Sequence, residues 1–387
     1  MLLIKNGTVH VGNGKVLENH DILIKNGKIS RIGKGLDCQE AKIIDAQYKH
    51  VFPGFIDPVS SYGCTDITFS LKDHDEISNP VTPELKIKYA FNHGEILVEE
   101  LYKVGITSIG AAPGNKNIIG GQMAAYRTWG LNSGKMLMKE PVGLKGSVIR
   151  NVKETYGKRN ISPMTRMGIF NELEKFLSFN EKESQGEVDW KTAEIRGILT
   201  KLLEKEIPLF ITANTSTEIN ALLDVTKEYD INLVIVGAYQ AHRCLESIKE
   251  RNISVVIGEQ TDYTAKNYND TDLYRIAQLQ KEGNLVSFTL TSNYGPEGKI
   301  KYLWNAIEFY KVGVDSEEIV KMMTSNPAKM LGIDDILGTI EEGKLADLVI
   351  YSNNPIEYYK SKPLYTIVGG EIVYQEGSGE NATNKEC

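Results

Sequence analysis

The spacing of apolar residues changes character twice along this chain, and those two changes restrict the fold more than any single residue does. Up to about residue 50 the apolar residues fall in short or alternating runs: Leu2–Ile4, Thr8–Val11, Asp21–Lys25, Lys28–Ile32 and Ala41–Asp45. Asn-Gly and Gly turns separate them, and Asn6-Gly7 and Asn26-Gly27 supply the positive φ angles that tight hairpins need. After residue 52 strands alternate with helical stretches, the βαβ pattern of a parallel sheet. Past Gly343 short strands return as Asp347–Tyr351, Thr366–Val368 and Glu371–Tyr374, the last two split by Gly369-Gly370. This order predicts a small sheet built from both ends of the chain around an α/β middle. The 387 residues are enough for a barrel of roughly 250 residues and a satellite.

Eight candidate parallel strands follow from the middle: Val51–Pro58, Gly105–Ala111, Met123–Thr128, Glu140–Lys145, Pro208–Asn214, Asn232–Gly237, Ile253–Glu259 and Leu285–Thr291. Eight strands close a barrel. Between them Val188–Lys205 carries Ile195, Leu199, Leu202 and Leu203 at helical spacing. Ser162-Pro163 reads as an N-cap followed by proline at the first helical position. Val314–Leu331, with Asp315 as cap and Glu318 three residues on, reads as the last helix.

Composition excludes several classes of function. Lys and Arg number 44 against 51 Asp and Glu, a net charge of −7, with no long basic run, so neither nucleic acid nor an anionic membrane is an expected partner. Cys38, Cys64, Cys244 and Cys387 are scattered singly, which fits a reducing compartment. The N-terminus has no extended apolar segment or cleavage site, and no apolar run reaches 18 residues, so a cytoplasmic location is expected. The Gly/Ser/Asn/Glu-rich stretch 376–387 reads as an unstructured tail.

Three groups of residues bring a family into view. Val51-Phe52-Pro53-Gly54-Phe55-Ile56-Asp57-Pro58 near the start is one, with Ile4-Lys5-Asn6-Gly7 before it. Ser325-Asn326-Pro327-Ala328 followed by Gly338 to Val349 near the end is another. Asn79-Pro80-Val81-Thr82-Pro83, Gly120-Gly121-Gln122 and Pro163-Met164-Thr165-Arg166-Met167-Gly168 make the third. Through them the chain resembles the amidohydrolase superfamily, in its imidazolonepropionase-like branch, from Met1 to Gly377. The resemblance implies a (β/α)8 TIM-like barrel of the metal-dependent hydrolase type at 53–344. It also implies a small β-sandwich domain formed by 1–52 and 345–377, with 378–387 a flexible tail.

What the resemblance implies about chemistry is hydrolysis of amide-type C–N bonds by one or two divalent cations at the barrel mouth. The family's ligands are His-x-His after strand one, a lysine or glutamate on strand four, a histidine each after strands five and six, and an aspartate after strand eight. In this chain those positions hold Val59 and Ser61, Lys145, Thr212 or Asn214, Gly237, and Thr291. Only Lys145 matches, as the bridging lysine that is carboxylated in relatives. The six histidines, His10, His20, His50, His74, His93 and His242, offer no His-x-His anywhere.

The energetic deficit is large. A bound cation lowers the pKa of water from 15.7 to about 7, roughly 12 kcal/mol at about 1.36 kcal/mol per unit. A positioned general base supplies only ~3–5.5 kcal/mol. No metal and no cofactor is therefore expected, and the first expectation is a catalytically silent protein or a metal-free small-molecule binder. The alternative is hydrolysis of a cyclic amide or N-acyl compound through a relocated cation or a metal-free site using Lys145. A structural subunit that pairs with an active relative is a third reading, and family resemblance also suggests a homo-oligomer.

Candidate ligand-binding residues are Gln122, Lys145, Arg166, Asn214, Tyr239, His242 and Asn293. Each has a plainer reading beside it. Lys145 is either an electrophile or Schiff-base lysine in a desolvated pocket, or a salt-bridged or solvated one, and the second is favoured. Arg166 either clamps a carboxylate or anchors a loop, and Gln122 follows a glycine pair that either shapes a substrate loop or forms a turn. His242 reads better as a packing histidine than as a proton shuttle. Tyr239 and Asn293 lie just past strand ends, where sites of such barrels form.

Overall fold

Gly54 is the point at which the chain leaves one sheet and enters another. In a computed structural model describing residues 1–65, 72–179, 190–258, 270–290 and 298–377, β5 (His50–Pro53) ends one residue before it and β6 (Phe55–Ser60) begins one residue after. A Cβ on Gly54 would lie 2.0 Å from Thr107 Oγ1, so the crossing between sheets requires glycine. The single first strand expected at Val51–Pro58 is thus two strands in two sheets.

The first sheet joins both ends of the chain. It contains β1 (Leu2–His10), β2 (Val16–Lys25), β3 (Lys28–Gly33), β4 (Lys42–Asp45) and β5. The C-terminal segment adds β14 (Leu348–Tyr351), β15 (Pro363–Val368) and β16 (Glu371–Gln375). The order is β16-β15-β14-β5-β1-β2-β3, with β4 also pairing β1. One edge of β1 is shared: Leu2–Lys5 pair with β4 while Thr8 and Val9 pair with β5. The composite domain is therefore one hydrogen-bonded sheet that divides at β1, where a two-sheet sandwich was expected. Asn26-Gly27 forms the β2–β3 hairpin with φ of 50° and 75°. Asn6-Gly7 instead lies inside β1, where the register with β2 shifts between Ile4 and Gly7. Its positive φ at Asn6, 61°, serves a bulge, because β1 continues beyond it.

The second sheet is the barrel wall. To β6 it adds β7 (Ile106–Ala111), β8 (Ile119–Arg127), β9 (Leu137–Ser147), β10 (Leu209–Ala213), β11 (Leu233–Gly237), β12 (Ser254–Ile257) and β13 (Val286–Phe288), in sequence order. The eight strands are not all parallel. β8 runs antiparallel to both β7 and β9, because residues 112–118 are too few for the crossover helix that a parallel return requires. The ladder is open between β13 and β6, where Thr289 Oγ1 lies 2.5 Å from both Asp57 Oδ1 and the Val59 carbonyl. This is a TIM-like barrel with one reversed strand.

Alternation along the strands sorts the core. Phe210, Val234, Val236 and Val256 pack inside the barrel with Ile56 and Met123, while Leu209, Ile211, Ile235 and Val255 pack outward against the helices, as a pleat of period two requires. Removing such a side chain costs about 2–5 kcal/mol. Helices also differ in detail from expectation. One spans Trp190–Leu203, within the predicted 188–205. The helix after Ser162-Pro163 begins only at Arg166, capped by Thr165, whose side chain accepts from Gly168 N. The last predicted helix is two, Ser316–Met323 and Ser325–Met330, because Thr324 leaves helical geometry at φ −135° and ψ −81°. Asp315 caps the first through Glu317 N, while Glu318 is drawn off to Lys321 and Gln280. The expected tail 378–387 lies outside the described residues. Among the described residues no helix is long and apolar enough to cross a membrane.

Candidate functional site

Lys145 faces the barrel interior because it stands opposite Phe210 in the β9–β10 register, on the inward row of the pleat. Its neighbour Gly146 must be small, since a Cβ there would lie 2.0 Å from the Ile118 carbonyl. The side chain is 1% exposed. Nζ lies 2.8 Å from each of Asn115 Oδ1, the Gly146 carbonyl and Thr212 Oγ1, so all three ammonium protons have acceptors. Thr212 Oγ1 also lies 2.7 Å from Asn115 Oδ1. Burial pushes the Lys145 amine down to about 7, with the Asp75 carboxylate acting against that, because removing a lone cation from water disfavours it.

A cavity of about 250 Å³ opens beside this amine, lined by Val59, Ser61, Thr212, Val236 and Thr289 from the strand ends, and by His74, Asp75, Asn115 and Lys116 from loops. Asp75 Oδ2 sits 3.2 Å from Lys116 Nζ, and its carboxylate packs on Gly114, where a Cβ would come within 2.2 Å of Oδ1. His74 Nδ1 lies 2.9 Å from the Cys64 carbonyl, to which it donates, so Nε2 is the ring nitrogen left for other partners. That nitrogen is 3.6 Å from Asp75 Oδ2. The cavity thus combines a buried amine, an imidazole and a carboxylate.

Of the residues singled out in the sequence, the structure brings Lys145, Val59, Ser61 and Thr212 to this cavity. Gln122 is elsewhere: its Nε2 donates to the Pro83 carbonyl at 3.2 Å, and it lines a different cleft with Lys86 and Glu140. Arg166 is exposed in the first turn of its helix. Asn214 follows β10, its backbone N–H donating to Glu218 Oε2 at 3.0 Å and its Oδ1 turned toward Gly237, where a Cβ would lie 2.0 Å away. Gly237 has φ +82°, so Asn214 occupies the space a side chain at 237 would need. Tyr239 is buried. His242 lies in a 3₁₀ turn with Nδ1 3.4 Å from Asp272 N and Nε2 3.9 Å from Asp270 Oδ2. Thr291 and Asn293 lie outside the described residues. Sequence reasoning missed Asn115, His74, Asp75 and Lys116. The signal for the first and last was the Pro113-Gly114 turn just after β7; nothing local marked the other two.

Among the described residues no three His, Cys, Asp or Glu side chains converge as a metal site would require. Val59, Ser61, Thr212 and Gly237 stand in or just beyond the ends of their strands.

A strand-ordered α/β barrel with a polar mouth and a sheet of both termini places the chain in a recognisable class. Residues 310–374 match the profile of the amidohydrolase family. A crystal structure of an amidohydrolase from Thermotoga maritima MSB8 superposes with a TM-score of 0.86 at 29% identity, covering 97% of this chain and all of that one. A dihydroorotase from Aquifex aeolicus is 23% identical over 97% of this chain and 99% of its own length. An adenine deaminase from Carboxydothermus hydrogenoformans is 22% identical over 97% of this chain and 58% of its own. Together these matches support the amidohydrolase superfamily for this chain.

Proposed function

We propose that this barrel binds a small molecule at the Lys145 cavity without a divalent cation, and that hydrolysis by the metal route of its relatives is lost. The observation that carries this reading is the trio of oxygen acceptors around Nζ. Asn115 Oδ1, Gly146 O and Thr212 Oγ1, each at 2.8 Å, suit an amine that donates. A carboxylated lysine would instead turn its own anionic oxygens toward two carbonyl oxygens, which repel it. The packing of Asn214 into the space of residue 237 supports the same reading, since it leaves no room for an imidazole there. The dihydroorotase and deaminase among the relatives are named for their activities, and on this reading the chain keeps their scaffold without their cation chemistry.

A second reading, metal-free turnover of a C–N bond, is favoured by one observation: His74, Asp75 and Lys145 line one cavity. Elemental analysis of the protein as purified, after dialysis against a weak chelator, tests the first reading. Zinc, manganese and iron far below one per chain are expected, and near-stoichiometric metal overturns it. A screen of cyclic amides, N-acyl amino acids and imidazolones separates the two: binding without turnover supports the first, whereas turnover abolished in Lys145→Ala supports the second. A bound compound at one hundred times its Kd stabilises the fold by about 2.7 kcal/mol, well within reach of thermal unfolding.

A further inference from the structure

Resting on the reading of the mouth as a cation-free cavity, we propose that Lys145 captures a small carbonyl compound, an aldehyde or ketone, as a reversible imine. The case begins with placement. Nζ is held at the cavity wall by three contacts, so its position is fixed before any ligand enters. A lysine becomes a nucleophile when desolvation favours the neutral amine, and this one is buried, with the Asp75 carboxylate among the cavity's groups.

The hydroxyl of Thr212 allows both protonation states. With its single hydrogen on Asn115 Oδ1, at 2.7 Å, Lys145 is the triple donor of an ammonium. With that hydrogen turned to Nζ, at 2.8 Å, Lys145 is an amine donating to Asn115 and Gly146. Neither state leaves a buried polar group without a partner.

Chemistry then follows in balance. The ammonium gives one proton to His74 Nε2 or to the Asp75 carboxylate. The amine lone pair attacks the carbonyl carbon, forming a C–N bond as the C=O π pair moves to oxygen. The base returns its proton to that oxygen, then takes a second proton from the nitrogen and passes it to the hydroxyl, which leaves as water as the nitrogen lone pair forms the C=N bond of a protonated imine. Every proton is accounted for by the same imidazole or carboxylate, and no oxidant or reductant is needed. A cavity of about 250 Å³ is below the roughly 300–1,000 Å³ of drug-sized pockets, which points to a compound of few carbons. Lys72 on its lining, with Lys116 paired to Asp75, favours an anionic one, such as a 2-oxo acid.

The test uses the intact protein with glyoxylate or pyruvate as probe and cyanoborohydride to trap any imine, followed by peptide mass mapping. The expected result is an adduct on Lys145 formed at least about tenfold faster than on any other lysine. Its rate should level off near neutral pH, while ordinary lysines continue to gain toward about pH 10. Labelling spread over surface lysines, or an unlabelled Lys145, overturns the proposal. Lys145→Arg should lose the fast adduct; its persistence there is a second overturning result. If that variant fails to fold, the map of the native protein decides alone. Near-stoichiometric metal would sink the cation-free reading, whereas metal-free protein with no Lys145 adduct would sink only the imine.

Discussion

Two cations, the half-buried Arg127 and the buried Lys145, sit at opposite kinds of position in this molecule. Arg127, at the end of β8, reaches into the terminal sheet, where Nε and Nη2 lie 3.1 Å from the two carboxylate oxygens of Asp347. Asp347 also accepts from Gly369 N at 2.7 Å. Lys145, in the neighbouring strand, contacts only neutral oxygens. The first arrangement compensates charge with charge across the joint between barrel and sheet. The second leaves a net charge beside open volume. A paired charge of this kind is explained by the structure it holds together; an unpaired one next to a cavity costs stability and is explained only by something that enters.

The largest expected effect tests the paired half of that contrast. Asp347→Ala leaves the guanidinium without its partner at the joint and the Gly369 amide without an acceptor, so urea unfolding should show a loss of about 3–5 kcal/mol. Replacing both partners by apolar residues of similar size should cost much less, because no uncompensated charge remains. Equal losses in the single and double variants would break the comparison.

The unpaired half predicts a smaller effect with a pH signature. In the folded chain the Lys145 amine is pushed down to about 7, against ~10.4 when unfolded. Between those values the unfolded chain holds more protons at this residue, so its contribution to stability rises with pH from about 7 to 10. Lys145→Met removes that rise and should be no less stable than the native chain at pH 7. Unfolding free energies measured at pH 7, 8 and 9 check it, and parallel curves for the two proteins would contradict the assignment.

The frame of the barrel was legible because it rests on periodicity and turn chemistry, which are local. Strands β10, β11 and β13 fall inside predicted segments, and Asn26-Gly27 forms the turn its residues require. The reversed β8 was not legible from periodicity, since a buried antiparallel strand reads like a parallel one; the short 112–118 connection was the available clue. Asn6-Gly7 misled because the same dihedral angles serve a hairpin or a bulge, and only the pairing of β1 decides. At the mouth, Lys145 and Thr212 were found through a motif. Asn115, His74 and Asp75 were missed because loops bring them from 30 to 71 residues away from Lys145, a distance over which spacing in sequence says nothing.

Asp57 supplies the smallest effect and separates the two titrations. Thr289 Oγ1 has one hydrogen yet lies 2.5 Å from both Asp57 Oδ1 and the Val59 carbonyl. One of those contacts needs a second donor, which a protonated Asp57 provides while Thr289 donates to Val59. Burial accordingly pushes the Asp57 carboxyl up to about 7. Here the folded chain holds more protons than the unfolded one between about pH 4 and 7, so this residue's contribution is complete below that window and is lost as pH rises through it. Asp57→Asn keeps a donor toward Thr289 and does not titrate. It should match the native protein at pH 5 within about 1 kcal/mol and lose less stability than the native protein from pH 5 to 7. Glu95, also pushed up to about 7 by burial, and Asp347, likewise raised by burial, contribute to the fall that remains. The Lys145 window begins where this one ends, so a variant that flattens the acid limb and leaves the rise above pH 7 intact assigns one buried group to the barrel seam and the other to its mouth. An Asp57→Asn protein with an unaltered acid limb would remove Asp57 from that account.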